Sequence, residues 1–174
     1  MPQKEPQPRI LTVIRHAKSS WDDPNMRDFD RPLNERGQRD APEMGARLAA
    51  RGQKPDCLYC SSALRARETA LVLAQSVGYP EADVEAESGL YMANEAQLLE
   101  RIRAFPDSAG EVWLVGHNPD LTELVNRLAG FQTHDLPTCA IVRMAFDVEH
   151  WQDIEPGQAR VLEVDRPKHP WEST

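Results

Sequence analysis

Apolar residues in this chain fall into short unbroken runs that alternate with longer stretches of helical spacing. The first run, Ile10 to Ile14, ends abruptly in Arg15 and His16. Five apolar or β-branched residues in succession predict a buried strand. CLYCS at 57–61 and Val112 to Val115 repeat the pattern, and ADVEAE at 82–87 is a shorter candidate in which Val84 and Ala86 alternate with acids. Helical spacing fills the intervals. Asn34 can cap a first turn, but Pro42 predicts a break, with a second start capped by Asp40 and an apolar stripe of Met44, Leu48 and Ala49. After CLYCS, Ser61 or Ser62 is the expected cap of a helix that buries Ala66, Ala70, Leu73 and Val77. Asn94 with Gln97 reads as a capping box ahead of Leu98, Leu99, Ile102 and Phe105. Asn118 as cap, with Pro119 at the first helical position, precedes Leu121, Leu124, Val125 and Leu128. Cys139 to Asp147 and Ala159 to Asp165 alternate with no helix between them, which predicts an antiparallel edge pair. The pattern describes an α/β fold of three layers, α/β/α, with a mostly parallel central sheet. It divides the chain into a lead-in at 1–9, a single domain at 10–166 and a tail at 167–174, where Trp171 is a candidate to dock back.

Composition narrows the choice of partners. The chain has 174 residues, 40% of them apolar, enough for one core without a metal or disulfide staple. A net charge of −8 and a pI near 5.1 argue against nucleic acid and anionic membranes as partners, since both require a basic face. No run approaches the length of a membrane span and the first nine residues lack a signal-peptide core, so a soluble cytoplasmic protein is expected. Cys57, Cys60 and Cys139 suit a reducing compartment. The CxxC lies inside a strand, Cys57 and Tyr59 on one face and Leu58 and Cys60 on the other, and reads as buried thiols rather than a redox or zinc motif.

The candidate chemistry collects at strand ends. Arg15 and His16 close the first strand, Arg65 falls in the first turn after the second, and His117 follows the strand at 112–115. In open α/β sheets ligands bind at this edge. A cation in the first turn of a helix opposes the macrodipole unless an anion is bound there, which Arg65 and the free amides would share. Two guanidiniums and two imidazoles converging on one pocket suit a phosphate dianion.

The motifs RHAKSSW, DRPLNERGQRDA, SSALRARETA and VGHNPDL, in that order, resemble the histidine phosphatase superfamily, and among its members the SixA-type phosphohistidine phosphatases, over about Ile10 to Leu128. The resemblance implies a phosphoglycerate mutase-like fold and a phosphatase that needs no metal or other cofactor. It makes His16 the nucleophile that becomes phosphorylated, and Arg15, Arg65 and His117 the residues that hold the phosphoryl group. Ser19, Asp22 and Asn118 are candidates for the rim. The chain departs from the wider family at Ala17, where glycine is usual, and at Lys18, where many members are acidic. Phosphoester-cleaving members carry a glutamate acid where this chain has Tyr91 or its neighbours in GLYMA; Glu87 and Glu95 are the nearest carboxylates. A phosphohistidine substrate needs less help from an acid than an ester does, so a phosphohistidine-carrying protein is the favoured partner. The alternatives are a small-molecule phosphomonoesterase for sugar or nucleotide phosphates, with Glu87, Glu95 or Asp22 as acid, and a non-catalytic module that binds phosphate or phosphoproteins. A mutase lacks support, because no longer substrate-closing segment is present. His134, His150 and His169 show no metal-ligand spacing.

Overall fold

A computed structural model describes residues 7–130 and 134–167. Six strands form one sheet: β1 (Arg9–Arg15), β2 (Cys57–Ser61), β3 (Glu85–Glu87), β4 (Glu111–Gly116), β5 (Ile141–Phe146) and β6 (Arg160–Asp165). Their spatial order is β3-β2-β4-β1-β5-β6. The first four are parallel, β5 runs antiparallel to β1, and β6 antiparallel to β5. The expected edge pair is therefore present, and the architecture is the three-layer phosphoglycerate mutase-like one. β3 is only three residues long, since Val84 belongs to the turn that precedes it.

Four helices cover the two faces: α1 (Glu35–Ala50), α2 (Leu64–Val77), α3 (Glu95–Arg103) and α4 (Asp120–Ala129). Alternation along the strands divides the core between them. Leu11 and Val13 of β1 join Tyr59, Val112, Leu114 and the α3 and α4 stripes, whereas Ile14 joins Leu58, Cys60, Trp113, Val115 and the α1 and α2 stripes. Cys57 and Tyr59 face one layer and Leu58 and Cys60 the other, as expected, and all three cysteines are free thiols. Among the described residues no helix is long and apolar enough to cross a membrane.

Three helix starts correct the sequence reading. α1 is one continuous helix capped by Asn34, whose side chain accepts from the Gly37 amide, and it runs straight through Pro42. An interior proline costs about 3 kcal/mol, but Pro42 faces solvent, where water can take up the Gln38 carbonyl. Ala41, Met44, Gly45 and Leu48 meanwhile bury the opposite side, and Ala49 is exposed. α2 begins after Ala63 with no side-chain cap; neither Ser61 nor Ser62 serves. α4 begins at Asp120 after a cis Asn118–Pro119 peptide, so Pro119 rather than Asn118 is the cap residue. The capping box at Asn94 and Gln97 is formed. Trp171 lies outside the described residues.

Candidate active site

β1 sits at the middle of the sheet, and its last residues are tied on both sides. The Arg15 amide donates to Ala140 O and the His16 amide to Gly116 O, while the Cys139 amide donates to His16 O. His16 is therefore placed by β4 on one flank and by the segment entering β5 on the other. Pairing of Arg15 with Gly116 in the β1–β4 register brings His117 alongside. The two imidazole rings lie 5.0 Å apart, centroid to centroid, at 57°.

The orientation of each ring is fixed by one nitrogen. His16 Nδ1 lies 2.7 Å from the Ala17 carbonyl, which can only accept, so Nδ1 carries the proton. Burial, with the nearby His117, Arg65 and Arg15, lowers the His16 pKa to about 3 despite that hydrogen bond. The ring is neutral at physiological pH, and its Nε2 keeps a lone pair. Ala17 fits where the family usually has glycine: its φ is not positive, and its amide donates to Thr69 Oγ1 at 3.0 Å. His117 Nε2 is 2.8 Å from Ser61 Oγ at the end of β2. Burial, then Arg65, hold the His117 pKa down to about 4, although Asp28 opposes them.

Arg65 reaches the same place from α2 and Arg15 from β1. The Arg65 side chain is buried, donating Nη1 to Asp28 O at 2.6 Å and Nη2 to Asp28 Oδ2 at 2.9 Å. Arg15 Nη1 donates to Leu136 O at 2.7 Å, and Asn118 Nδ2 donates to the same carbonyl at 2.8 Å. Burial lowers the Arg15 pKa, and Asp135 counteracts it. Arg15 Nε, Arg65 Nε and His117 Nδ1 are all buried with no hydrogen-bond partner among the described residues. Buried polar groups are seldom left so. Three such nitrogens lie in one cluster, where their N–H groups can donate to the oxygens of an anion.

The remaining candidates divide. Asn118 borders the cluster through Leu136, and its Oδ1 also accepts from Thr122. Ser19 is buried but turned to Arg31, whose Nη1 donates to it at 2.7 Å. Asp22 is exposed and lines a separate surface hollow with Ser20, Asn34 and Arg39. Glu87 is bound at both carboxylate oxygens by Arg101, at 2.8 Å each, and Glu95 is paired with Arg127 at 2.9 Å. Both carboxylates are thus engaged by arginines outside the histidine pair. No three of His, Cys, Asp or Glu among the described residues come together as a metal-binding set.

Asp28 and Ser61, which sequence reasoning did not place in the site, complete the wall together with Tyr91. Asp28 accepts from Arg65, from Arg31 Nη2 at 3.0 Å and from the Tyr91 hydroxyl at 2.7 Å. Partial burial would raise its pKa, but the Tyr91 and Arg65 hydrogen bonds bring it down to about 2. Tyr91 stands edge-on to His117 with centroids 5.7 Å apart. Ser61, expected as a helix cap, instead accepts from the Ala63 amide and orients His117. Alternation along β2 could have revealed Ser61, because a polar residue closing a buried strand at the ligand edge is chemically placed. For Asp28 no such local signal exists.

Comparison with known proteins agrees with the geometry. Residues 11–95 match the family model for the histidine phosphatase superfamily, branch 1. An uncharacterised protein of Mycobacterium tuberculosis is 33% identical over 167 residues, spanning 89% of this chain and 100% of its own length. A protein of Agrobacterium tumefaciens assigned as the phosphohistidine phosphatase SixA is 27% identical, with a TM-score of 0.78 over 92% of this chain and 99% of that one. The structure of the protein histidine phosphatase SixA complexed with tungstate superposes equally well, with a TM-score of 0.78 at 20% identity over 91% of this chain and 97% of that one. Sequence, fold and the cluster of Arg15, His16, Arg65 and His117 converge: the chain belongs to branch 1 of the histidine phosphatase superfamily and is a phosphatase of SixA-like architecture.

Proposed function

We propose that this phosphatase works through a phosphohistidine on His16 and that its substrate is a phosphohistidine carried by a partner protein. The observation that carries the reading is a neutral His16, with Nδ1 tied to Ala17 O, set beside three buried and unpartnered nitrogens of Arg15, Arg65 and His117. In this mechanism His16 Nε2 attacks phosphorus, a new P–N bond forms, and the P–N bond to the partner's imidazole breaks. With its other ring nitrogen protonated, that imidazole leaves neutral and draws no proton from the enzyme. Water then attacks the phosphoryl group on His16 Nε2, the bond to the ring breaks, and inorganic phosphate leaves with the ring restored. The two guanidiniums and His117 donate to the equatorial oxygens, where negative charge is spread in the transition state.

The engagement of Glu87 and Glu95 by arginines supports a phosphoramidate rather than an ester as substrate. Incubation with a phosphohistidine carrier protein and with phosphoesters tests the reading. Release from the carrier, with label trapped on the wild type and absent from His16→Ala, is the expected result; release from esters alone would sink it.

One observation favours the small-molecule reading. The Tyr91 hydroxyl stands beside Asp28 and edge-on to His117, where ester-cleaving relatives carry an acid. On that reading ester turnover exceeds carrier turnover and is lost in Tyr91→Phe.

A further inference from the structure

We propose, resting on His16 as the nucleophile, that Thr69 is a positioning residue for that ring: its hydroxyl holds the backbone that selects the tautomer able to attack. The role is the same whichever phosphorylated molecule is the substrate.

Thr69 lies one turn beyond Arg65 on the face of α2 that packs on the sheet. The buried residues of that helix are Arg65, Ala66, Thr69, Ala70, Leu73 and Ala74, so Arg65 and Thr69 are its buried polar pair. The site accounts for Arg65. Thr69 is fully buried, and a buried hydroxyl has to be satisfied locally. Its Oγ1 donates to Arg65 O at 2.8 Å and accepts from the Ala17 amide at 3.0 Å. Both directions follow from the partners, since a carbonyl can only accept and an amide can only donate. A threonine that bonds back to the carbonyl four residues earlier slightly destabilises its own helix. The gain lies at the other end, where the hydroxyl oxygen keeps a lone pair aimed at Ala17.

That lone pair holds the peptide joining His16 to Ala17. The carbonyl of the same peptide, His16 O, accepts from the Cys139 amide at 3.1 Å. Gripped at both ends, the peptide cannot turn, and it fixes the direction in which Ala17 leaves it. The next carbonyl, Ala17 O, accepts from His16 Nδ1 at 2.7 Å. This bond keeps the proton on Nδ1 and the lone pair on Nε2, the atom that attacks. Hydrogen bonds thus run from the Arg65 carbonyl through Thr69 to Ala17, and from Ala17 back to the ring.

Without the hydroxyl, the Ala17 amide is buried with no acceptor, a costly state that the backbone relieves by turning. Ala17 O then moves off Nδ1, and the ring gains the tautomer whose Nε2 carries the proton and cannot attack. The phosphoryl-holding group is spared, because the Arg65 guanidinium is oriented by Asp28 rather than by Thr69.

The test compares Thr69→Val, which keeps the shape and loses the hydroxyl, with Thr69→Ser, which keeps the hydroxyl and loses the methyl. Turnover is followed on phosphoimidazole or nitrophenyl phosphate, whichever the wild type cleaves faster, together with binding of inorganic phosphate and the ring-nitrogen NMR resonances of His16. For Thr69→Val, kcat is expected to fall about tenfold to hundredfold, with phosphate affinity unchanged and the two resonances drawn together as the tautomers exchange. Thr69→Ser should restore both kcat and the wild-type resonances. Wild-type kcat and resonances in Thr69→Val, or equal losses in the two variants, overturn the positioning role while leaving His16 as nucleophile. Phosphate affinity lost in step with kcat also overturns it, assigning the hydroxyl to Arg65. If Thr69→Val does not fold, Thr69→Ala is read by the same criteria. Phosphoryl label that persists in His16→Ala removes the nucleophile, and the role of Thr69 falls with it.

Discussion

Asp28 grips Arg65 with two different oxygens, its carbonyl at 2.6 Å from Nη1 and its carboxylate at 2.9 Å from Nη2. Both terminal nitrogens of the arginine proposed to hold a phosphoryl group are thus engaged by one residue of the wall. A bound oxyanion has to compete with that carboxylate. Asp28→Asn, which keeps the shape and removes the charge, should tighten binding of tungstate or inorganic phosphate by about threefold to tenfold, on the order of 1 kcal/mol for a partly exposed pair. Isothermal titration at fixed ionic strength measures it; weaker binding would show that Asp28 positions Arg65 rather than competes for it.

The two histidines give a pH signature. Burial pushes His16 to about 3 and His117 to about 4, against about 6.5 in an unfolded chain. Between these values the unfolded state binds more protons than the folded one, so stability rises with pH. Their contribution is complete above pH 6.5 and is lost as pH falls toward 4 and then 3, about 1 kcal/mol from each by pH 5.5. Denaturant titrations at pH 7.5 and 5.5 should show a smaller loss in a His16→Asn, His117→Asn double variant than in the wild type. For the same reason kcat/KM, which reports the free enzyme, should stay flat from pH 8 down to about 5 instead of falling below 6.5.

Ser61 is expected to act through His117. Removing a preorganised donor to a developing oxyanion typically costs about 10²–10³ in kcat, which sets the scale for His117→Gln. Ser61→Ala releases only the ring's orientation, with an expected loss of about tenfold. The double variant should be no slower than His117→Gln alone, because the hydroxyl's role passes through the imidazole; additive losses would separate the two residues.

Arg15, His16, Arg65 and His117 were legible in the sequence because each lies within two residues of a buried strand end or helix start, and strand ends are set by local apolar runs. Asp28 and Arg31 were not. They sit in a long polar connection with several aspartates, and the choice of Asp28 depends on how that connection closes. Its closure is tertiary: Ser19 bridges Leu33, the Ser20 amide donates to Pro32 O, and the Asn34 amide donates to Lys18 O. Pro42 misled for a related reason. Local propensity ends a helix there, but packing of Ala41, Met44, Gly45 and Leu48 against α2 and the sheet outweighs one lost hydrogen bond.

The same closure makes Gly37 exacting. A Cβ at this position would lie 2.2 Å from the Lys18 carbonyl oxygen, a backbone atom that cannot turn aside. Gly37→Ala must push α1 away from the segment following His16. Overpacking of this kind costs typically 1–3 kcal/mol, so Tm should fall by about 3–8 °C. Calorimetry measures the shift. Activity should fall with it, since Ala17 and Lys18 carry the backbone that holds the His16 ring.

The site's floor and its walls are held by different sets of backbone hydrogen bonds. Amides at Arg15, His16 and Cys139 are locked into the middle of the sheet, whereas those at Met26, Asp30 and Arg31 bond only to carbonyls three residues away. In hydrogen exchange the first group should report whole-molecule unfolding and the second only local opening. Substitutions at 21–31 and 88–94 can therefore reshape which molecules gain entry without loosening the strand that bears His16, so substrate range and phosphoryl chemistry can diverge independently on one scaffold.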